Sequence, residues 1–211
     1  MYELYVITDE GLSNGLSHAE LAKLACEGGA DAIQLRDKCM GKDEMLAIAR
    51  DIRRITSLHG ALFFVNDHLD IAIASEADGV HLGQSDIWQL DRGERDGLLL
   101  GVSVSSVGEA LDAVRNGADY LGVGPVFDTS SKNDAGTGIG LTALSEIRDS
   151  VNVPIVAIGG ITKKNAASVI AAGADGVAVI SAVVSQNDVA AAAKELKRIT
   201  DGAVRASKGR R

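Results

Sequence analysis

Gln34, Arg36 and Lys38 occupy alternate positions in Gln34-Leu35-Arg36-Asp37-Lys38, where the apolar stretch AIQLR ends. In a strand, alternation puts Gln34 and Arg36 on one face and Leu35 on the other. A guanidinium offers a fork for phosphate oxygens, a glutamine amide offers a heterocycle both a donor and an acceptor, and Lys38 adds a mobile charge just beyond. The competing reading is an Arg–Asp surface pair, which an inward polar pair at a strand end argues against. Asp67 follows FFVN directly, and Asp86 follows GVHLGQS. Carboxylates converging on one mouth suit Mg²⁺, which takes a few protein oxygens and fills its shell with phosphate and water. Either acid alone could equally be a helix N-cap, Asp86 before IWQL above all. Gly159-Gly160-Ile161-Thr162 and Ile180-Ser181-Ala182 have the types that let a phosphate approach backbone amides. The segment from Pro125 to Gly140 carries Thr129, Ser130, Ser131 and Lys132, a polar, glycine-flanked loop able to close over an anion.

These residues need a frame that brings them together, and the chain repeats one. Ala-Asp precedes a short apolar strand four times, at Ala30-Asp31, Ala77-Asp78, Ala118-Asp119 and Ala174-Asp175, with the aspartates 47, 41 and 56 residues apart. Each interval has room for two strand-plus-helix units. Further β-branched runs, LYVIT, ALFFV, LLLGV and VPIVAI, lie between the marked strands. Strand and helix therefore alternate throughout, which predicts parallel α/β and, with eight units, a closed (β/α)₈ TIM barrel. The candidate residues all fall at the strand ends, where chemistry gathers in such barrels. The barrel is expected over 1–201, with 202–211 a basic, disordered tail.

The 211 residues are 46% hydrophobic but only 3% aromatic, so the packing is aliphatic, and the net charge of −8 disfavours a nucleic-acid or anionic-membrane binder. Cys26 and Cys39 lack a pairing pattern and read as reduced thiols. MYELYVITDE has acids within its apolar stretch and no basic start, so it reads as a first strand, and no apolar run approaches a membrane span. A cytoplasmic location is the expectation. The four histidines show no metal-ligand spacing. His81, opposite in facing to Val80 and Leu82, reads as a packed, hydrogen-bonded strand residue, with ligand contact as the alternative.

Taken in order, LYVITD, QLRDK, VND, GVHLGQSD, LGVS, GPVFDTSSK, IGGIT and VISA resemble the thiamine phosphate synthase family over nearly the whole chain. The resemblance implies a Mg²⁺-dependent transferase that joins 4-amino-5-hydroxymethyl-2-methylpyrimidine diphosphate to 4-methyl-5-(2-phosphoethyl)thiazole, releasing diphosphate and forming thiamine phosphate. It implies the two small-molecule substrates as partners, with no nucleic acid and no membrane. By that resemblance Gln34 and Asn66 contact the pyrimidine, Arg36 and Lys38 bind diphosphate, and Asp67 and Asp86 hold Mg²⁺. Ser103 falls near the reacting pyrimidine, Thr129, Ser131 and Lys132 on the diphosphate and thiazole side, and Gly160, Ile180 and Ser181 around the monophosphate. The implied mechanism is ionisation first, with Arg36, Lys38, Ser103 and Lys132 the catalytic set. Two positions depart from the family pattern. Asp128 stands where a proline is usual, and Ser105 where a histidine is frequent. A thiazole tautomerase of similar fold is the nearest alternative, disfavoured by Arg36, Lys38, Asp67, Asp86 and Lys132, and a non-catalytic phosphate-ligand sensor is the other.

Overall fold

The computed structural model describes residues 2–84, 95, 97–129, 131 and 136–208. Eight parallel strands close on themselves in sequence order: β1 (Leu4–Thr8), β2 (Ala32–Leu35), β3 (Leu62–Asn66), β4 (Gly79–Leu82), β5 (Leu99–Val104), β6 (Tyr120–Val123), β7 (Ile155–Ile158) and β8 (Gly176–Val179). The described helices are α1 (His18–Glu27), α2 (Lys42–His59), α3 (Leu69–Ala74), α4 (Val107–Arg115), α5 (Gly140–Ser150), α6 (Ala166–Ala171), α7 (Ser181–Val184) and α8 (Val189–Lys208). The predicted (β/α)₈ barrel is therefore the observed one. Local chemistry starts the helices. Ser17 and Glu20 form a reciprocal capping box on α1, and the Ser106 side chain accepts from the Glu109 amide on α4.

The Ala-Asp repeat has a mechanical meaning. Each aspartate stands just before an even-numbered strand and accepts the backbone N–H of a residue in the odd strand before it. Asp31 takes Leu4 at 2.8 Å, Asp78 takes Phe63 at 2.7 Å, Asp119 takes Leu100 at 2.8 Å and Asp175 takes Ile155 at 2.9 Å. The same four carboxylates each hold one cation, from Lys197, Arg53, Arg95 and Arg148 respectively, at 2.7–3.0 Å. Four clamps thus tie neighbouring strands at the N-terminal mouth, the face that carries stability in barrels. Charge-assisted bonds of this kind are the stronger sort.

Inside the barrel the few aromatic residues gather. Tyr2, Tyr5, Phe64 and Tyr120 pack with ring centroids 5.3–6.4 Å apart. Glycines make room for them. A Cβ on Gly101 would lie 2.2 Å from the Tyr120 ring, and one on Gly79 2.6 Å from that of Phe64.

One boundary differs from expectation. Helix α8 runs to Lys208, past residue 201, because Val189, Ala193, Leu196, Thr200 and Val204 keep a helical spacing and are all buried. Residues 209–211 lie outside the described residues. No helix among the described residues is long and apolar enough to cross a membrane.

Candidate active site

A cavity of about 420 Å³ opens at the C-terminal mouth of the strands. Arg36 and Lys38 reach it from just beyond β2, and Asn66 and Asp67 from the end of β3. Ser103 lines it from β5, Thr129 and Ser131 from the loop after β6, and Gly160, Ile180 and Ser181 from the ends of β7 and β8. The structure therefore brings these ten expected residues around one space. Asp86, Lys132 and Ser130 lie outside the described residues, as does much of the loop expected to close over the site.

The loop carrying Arg36 and Lys38 is fixed by Asp37. Its Oδ1 accepts the amides of Cys39 at 2.7 Å and Met40 at 2.9 Å, while Oδ2 faces Nε2 of fully buried His18 at 3.4 Å. Partial burial opposes ionisation, but the two amides and His18 outweigh it and hold the Asp37 carboxyl below the usual range. Asp37 is thus committed to its own loop and to His18, which answers the Arg–Asp surface pair. His18 in turn anchors to Thr8 Oγ1 at 2.7 Å.

Asp67 takes a left-handed backbone conformation with φ 61°. Aspartate tolerates that region better than most residues, and such strain gathers at functional sites. Its amide donates to the His81 carbonyl at 2.9 Å, and its carboxylate accepts Asn66 Nδ2 at 2.6 Å. The N-cap alternative does not apply to Asp67, because α3 begins after His68 with no side-chain cap bond. Among the described residues no group of three His, Cys, Asp or Glu forms a metal cluster. A single carboxylate at the rim still fits a Mg²⁺ that draws most of its oxygens from phosphate, a second protein acid and water.

Gln34 does not line the main cavity. Strand register places it beside Ile7 and Phe64, one layer below Arg36, and it is 2% exposed with Nε2 donating to the Tyr5 hydroxyl at 2.9 Å. It borders a small void of about 20 Å³ beneath the floor. His81 is the packed, hydrogen-bonded strand residue that its alternation implied. It is hydrogen-bonded to Ser103 and Tyr120 and also lines the cavity. Sequence reasoning missed Tyr5 and Tyr120, although both share the alternation of Ile7 and Gly122, which border the same small void.

On the opposite wall, the loop after β6 interlocks with the end of β7 and the loop beyond it through their backbones. Val126 N–H donates to Ile158 and Phe127 N–H to Gly159. A Cβ on Gly159 would lie 2.5 Å from Pro125 Cα, and one on Gly160, whose φ is +61°, would lie 2.7 Å from the Asp128 carbonyl oxygen. Gly160 is therefore required first by this packing. Among the described residues no backbone carbonyl takes the amides of Gly160 or Ile161, and both residues line the cavity. Ser131 Oγ meets Ser181 Oγ at 2.9 Å, linking the loop to the end of β8. The two departures find local roles. Asp128 Oδ1 accepts the Gly138 amide at 2.9 Å and ties the arms of the loop together, while Ser105 turns to Glu109 on α4, away from the cavity.

Two basic side chains, a rim carboxylate and a glycine-bearing wall thus meet around one barrel mouth. Residues 4–183 match the family described as thiamine monophosphate synthase. The chain belongs to that family. It is 57% identical over 202 residues to the thiamine-phosphate synthase of Methanoregula boonei, covering 94% of this chain and 93% of the relative. The thiamine-phosphate synthase of Pyrococcus furiosus is 47% identical over 200 residues, with 94% and 95% covered. A solved thiamine phosphate pyrophosphorylase from Pyrococcus furiosus superposes with a TM-score of 0.88 at 45% identity, over 96% of this chain and 97% of that one. A 3-hexulose-6-phosphate synthase at 22% identity and TM-score 0.66 shares the fold alone.

Proposed function

We infer that this protein couples 4-amino-5-hydroxymethyl-2-methylpyrimidine diphosphate to 4-methyl-5-(2-phosphoethyl)thiazole, giving thiamine phosphate and diphosphate. The observation that carries the reading is one cavity that gathers two cationic side chains together with the glycine- and serine-bearing ends of two strands. Arg36 and Lys38 stand on one wall, and the amides of Gly160 and Ile161 with the Ser181 hydroxyl stand on the other. One wall suits a diphosphate and the other a monophosphate.

The reaction needs no covalent enzyme nucleophile. The bond between the pyrimidine methylene carbon and the diphosphate oxygen breaks, and its electron pair leaves with the diphosphate. The aminopyrimidine delocalises the positive charge left on carbon. The thiazole nitrogen then gives its lone pair to that carbon, so the charge ends on the thiazolium ring. Arg36 and Lys38 stabilise the departing anion, and Lys132 would add to them from the loop after β6. Asn66 and Ser103 orient the heterocycle, and the phosphate wall holds the thiazole within reach of the methylene carbon. Asp67 and Asp86 are proposed as the protein ligands of a Mg²⁺. Bound there, it would neutralise charge on the diphosphate. The cysteines stay unpaired, which fits the cytoplasm as the place of action.

Metal removal tests the Mg²⁺ part. Exhaustive chelation should abolish thiamine phosphate formation, measured by chromatography, and Mg²⁺ should restore it. Full turnover in chelator would remove the metal from the proposal.

A further inference from the structure

The loop between β6 and α5 is tied at its base by three rungs. Ile139 N–H donates to the Pro125 carbonyl at 2.8 Å and Gly140 N–H to the Val126 carbonyl at 2.9 Å. The third rung is not backbone to backbone. There Gly138 N–H donates to Asp128 Oδ1 at 2.9 Å. The outgoing arm turns its own amides the other way, Val126 to the Ile158 carbonyl at 2.8 Å and Phe127 to that of Gly159 at 3.1 Å. It is therefore held between the end of β7 and the returning arm. The two arms touch at the third rung, since a Cβ on Gly138 would lie 2.8 Å from Phe127 Cα and 2.9 Å from Asp128 N. Aspartate, with its carboxylate one methylene from the backbone, is short enough to close so narrow a gap.

Beyond that rung the chain meets the cavity. Thr129 and Ser131 both line it, whereas Asp128 is exposed and does not. Thr129 Oγ1 accepts the Ser131 N–H at 3.2 Å, and Ser131 Oγ meets Ser181 Oγ at 2.9 Å. A connected series thus runs from Gly138 through Asp128, Thr129 and Ser131 to the end of β8. Hydroxyl protons rotate, so two hydroxyls at this spacing can both turn onto one phosphate. A donor pair that is already set loses less freedom on binding than one that must first be ordered. A carboxylate near an anion-binding mouth is a charge of the wrong sign for the ligand. The contribution of Asp128 is therefore the acceptor it offers Gly138.

We propose that Asp128 is a positioning residue for the monophosphate, whose carboxylate clasps Gly138 and so sets Ser131 beside Ser181 as a donor pair for a phosphomonoester. The inference deepens the coupling reading and rests on it for the identity of that ligand, the thiazole phosphate.

Two substitutions separate geometry from charge. Asp128→Asn keeps an acceptor for Gly138 and removes the charge, whereas Asp128→Ala removes both. Titration calorimetry with the thiazole phosphate should show binding weakened on the order of 5-fold in Asp128→Ala and no weaker than wild type in Asp128→Asn. In turnover assays KM for the thiazole phosphate should follow the same order, while KM for the pyrimidine diphosphate and the unfolding midpoint stay level. The double variant Asp128→Ala/Ser131→Ala should bind no more weakly than Ser131→Ala, because Asp128 acts only through Ser131. Amide hydrogen exchange reads the clasp itself, and Gly138 should exchange faster in Asp128→Ala than in the wild type or Asp128→Asn. Equal losses in the two single variants at Asp128 would assign the effect to charge and overturn the proposal. So would losses that multiply in the double variant, or a Gly138 amide indifferent to Asp128→Ala. The expected binding pattern in a protein without turnover would instead remove the coupling reaction and leave the clasp standing, and a wild type that does not bind the thiazole phosphate would remove both.

Discussion

Asp67 holds its carboxylate at the rim from a left-handed backbone position, with Asn66 Nδ2 on one oxygen. Its position after β3 was legible, because a residue directly following FFVN must stand at a strand end. The φ of 61° was not, since it depends on the turn that hands the Asp67 amide to His81. Asp67→Asn, which suits the left-handed backbone as well as aspartate does, should lower turnover on the order of 10²-fold, as when one electrostatic stabiliser is removed, with partial recovery at higher Mg²⁺ and an almost unchanged unfolding midpoint. A stability loss with normal turnover would return Asp67 to a structural role. On the phosphate wall the informative residue is Ser181. Gly160 is a poor probe, because a side chain there would strike Asp128 and Phe127 and disturb the whole loop. Ser181→Ala removes only a hydroxyl. A lost bond to a charged group is worth about 1.5–3 kcal/mol, so KM for the thiazole phosphate should rise by roughly 10-fold or more. KM for the pyrimidine diphosphate should stay level, and a rise in both would misplace the monophosphate.

Strands and helices carry a different part of the load, and the four aspartate clamps show it. Asp78 bonds the Phe63 amide and the Arg53 guanidinium at the end of the barrel opposite the cavity. Asp78→Ala leaves an amide beneath the barrel unpaired, at a cost of about 1–3 kcal/mol, and should lower the urea midpoint while kcat of the folded protein is unchanged. A fall in kcat at constant stability would contradict the division between a stabilising face and a reacting face. The repeat that led to the barrel was visible because each aspartate has the same local task, bonding the neighbouring strand's amide. The strand ends were equally visible, since apolar runs stop where polar residues begin. What stayed hidden depends on closure. Gln34 was placed on the correct face, but its depth, one layer below Arg36, was not legible, because alternation gives the side of a strand and not its depth. The partners of His81 lie on β5 and β6, and only the curvature of the closed sheet brings Ser103 and Tyr120 to its two nitrogens. The far end of α8 was misread from the basic ASKGRR, whereas Val204 continues the buried face of the helix.

At the scale of the molecule, the barrel brings Arg36 and Lys38 from beyond β2, and Gly160, Ile180 and Ser181 from the ends of β7 and β8, around one mouth, and on the proposed reading the first pair form a diphosphate wall and the others a monophosphate wall. That arrangement has a consequence for substrate use. Neither substrate alone satisfies both walls, and neither wall supplies a nucleophile of its own. Turnover should therefore require both substrates, and the two products should appear together. The decisive measurement supplies purified protein and Mg²⁺ with the pyrimidine diphosphate and the thiazole phosphate, and follows thiamine phosphate and diphosphate by chromatography. The account predicts the two products in equal amounts, with no thiamine phosphate when either substrate is withheld. Saturating substrates that yield no thiamine phosphate, or diphosphate released at full rate without the thiazole, would contradict it.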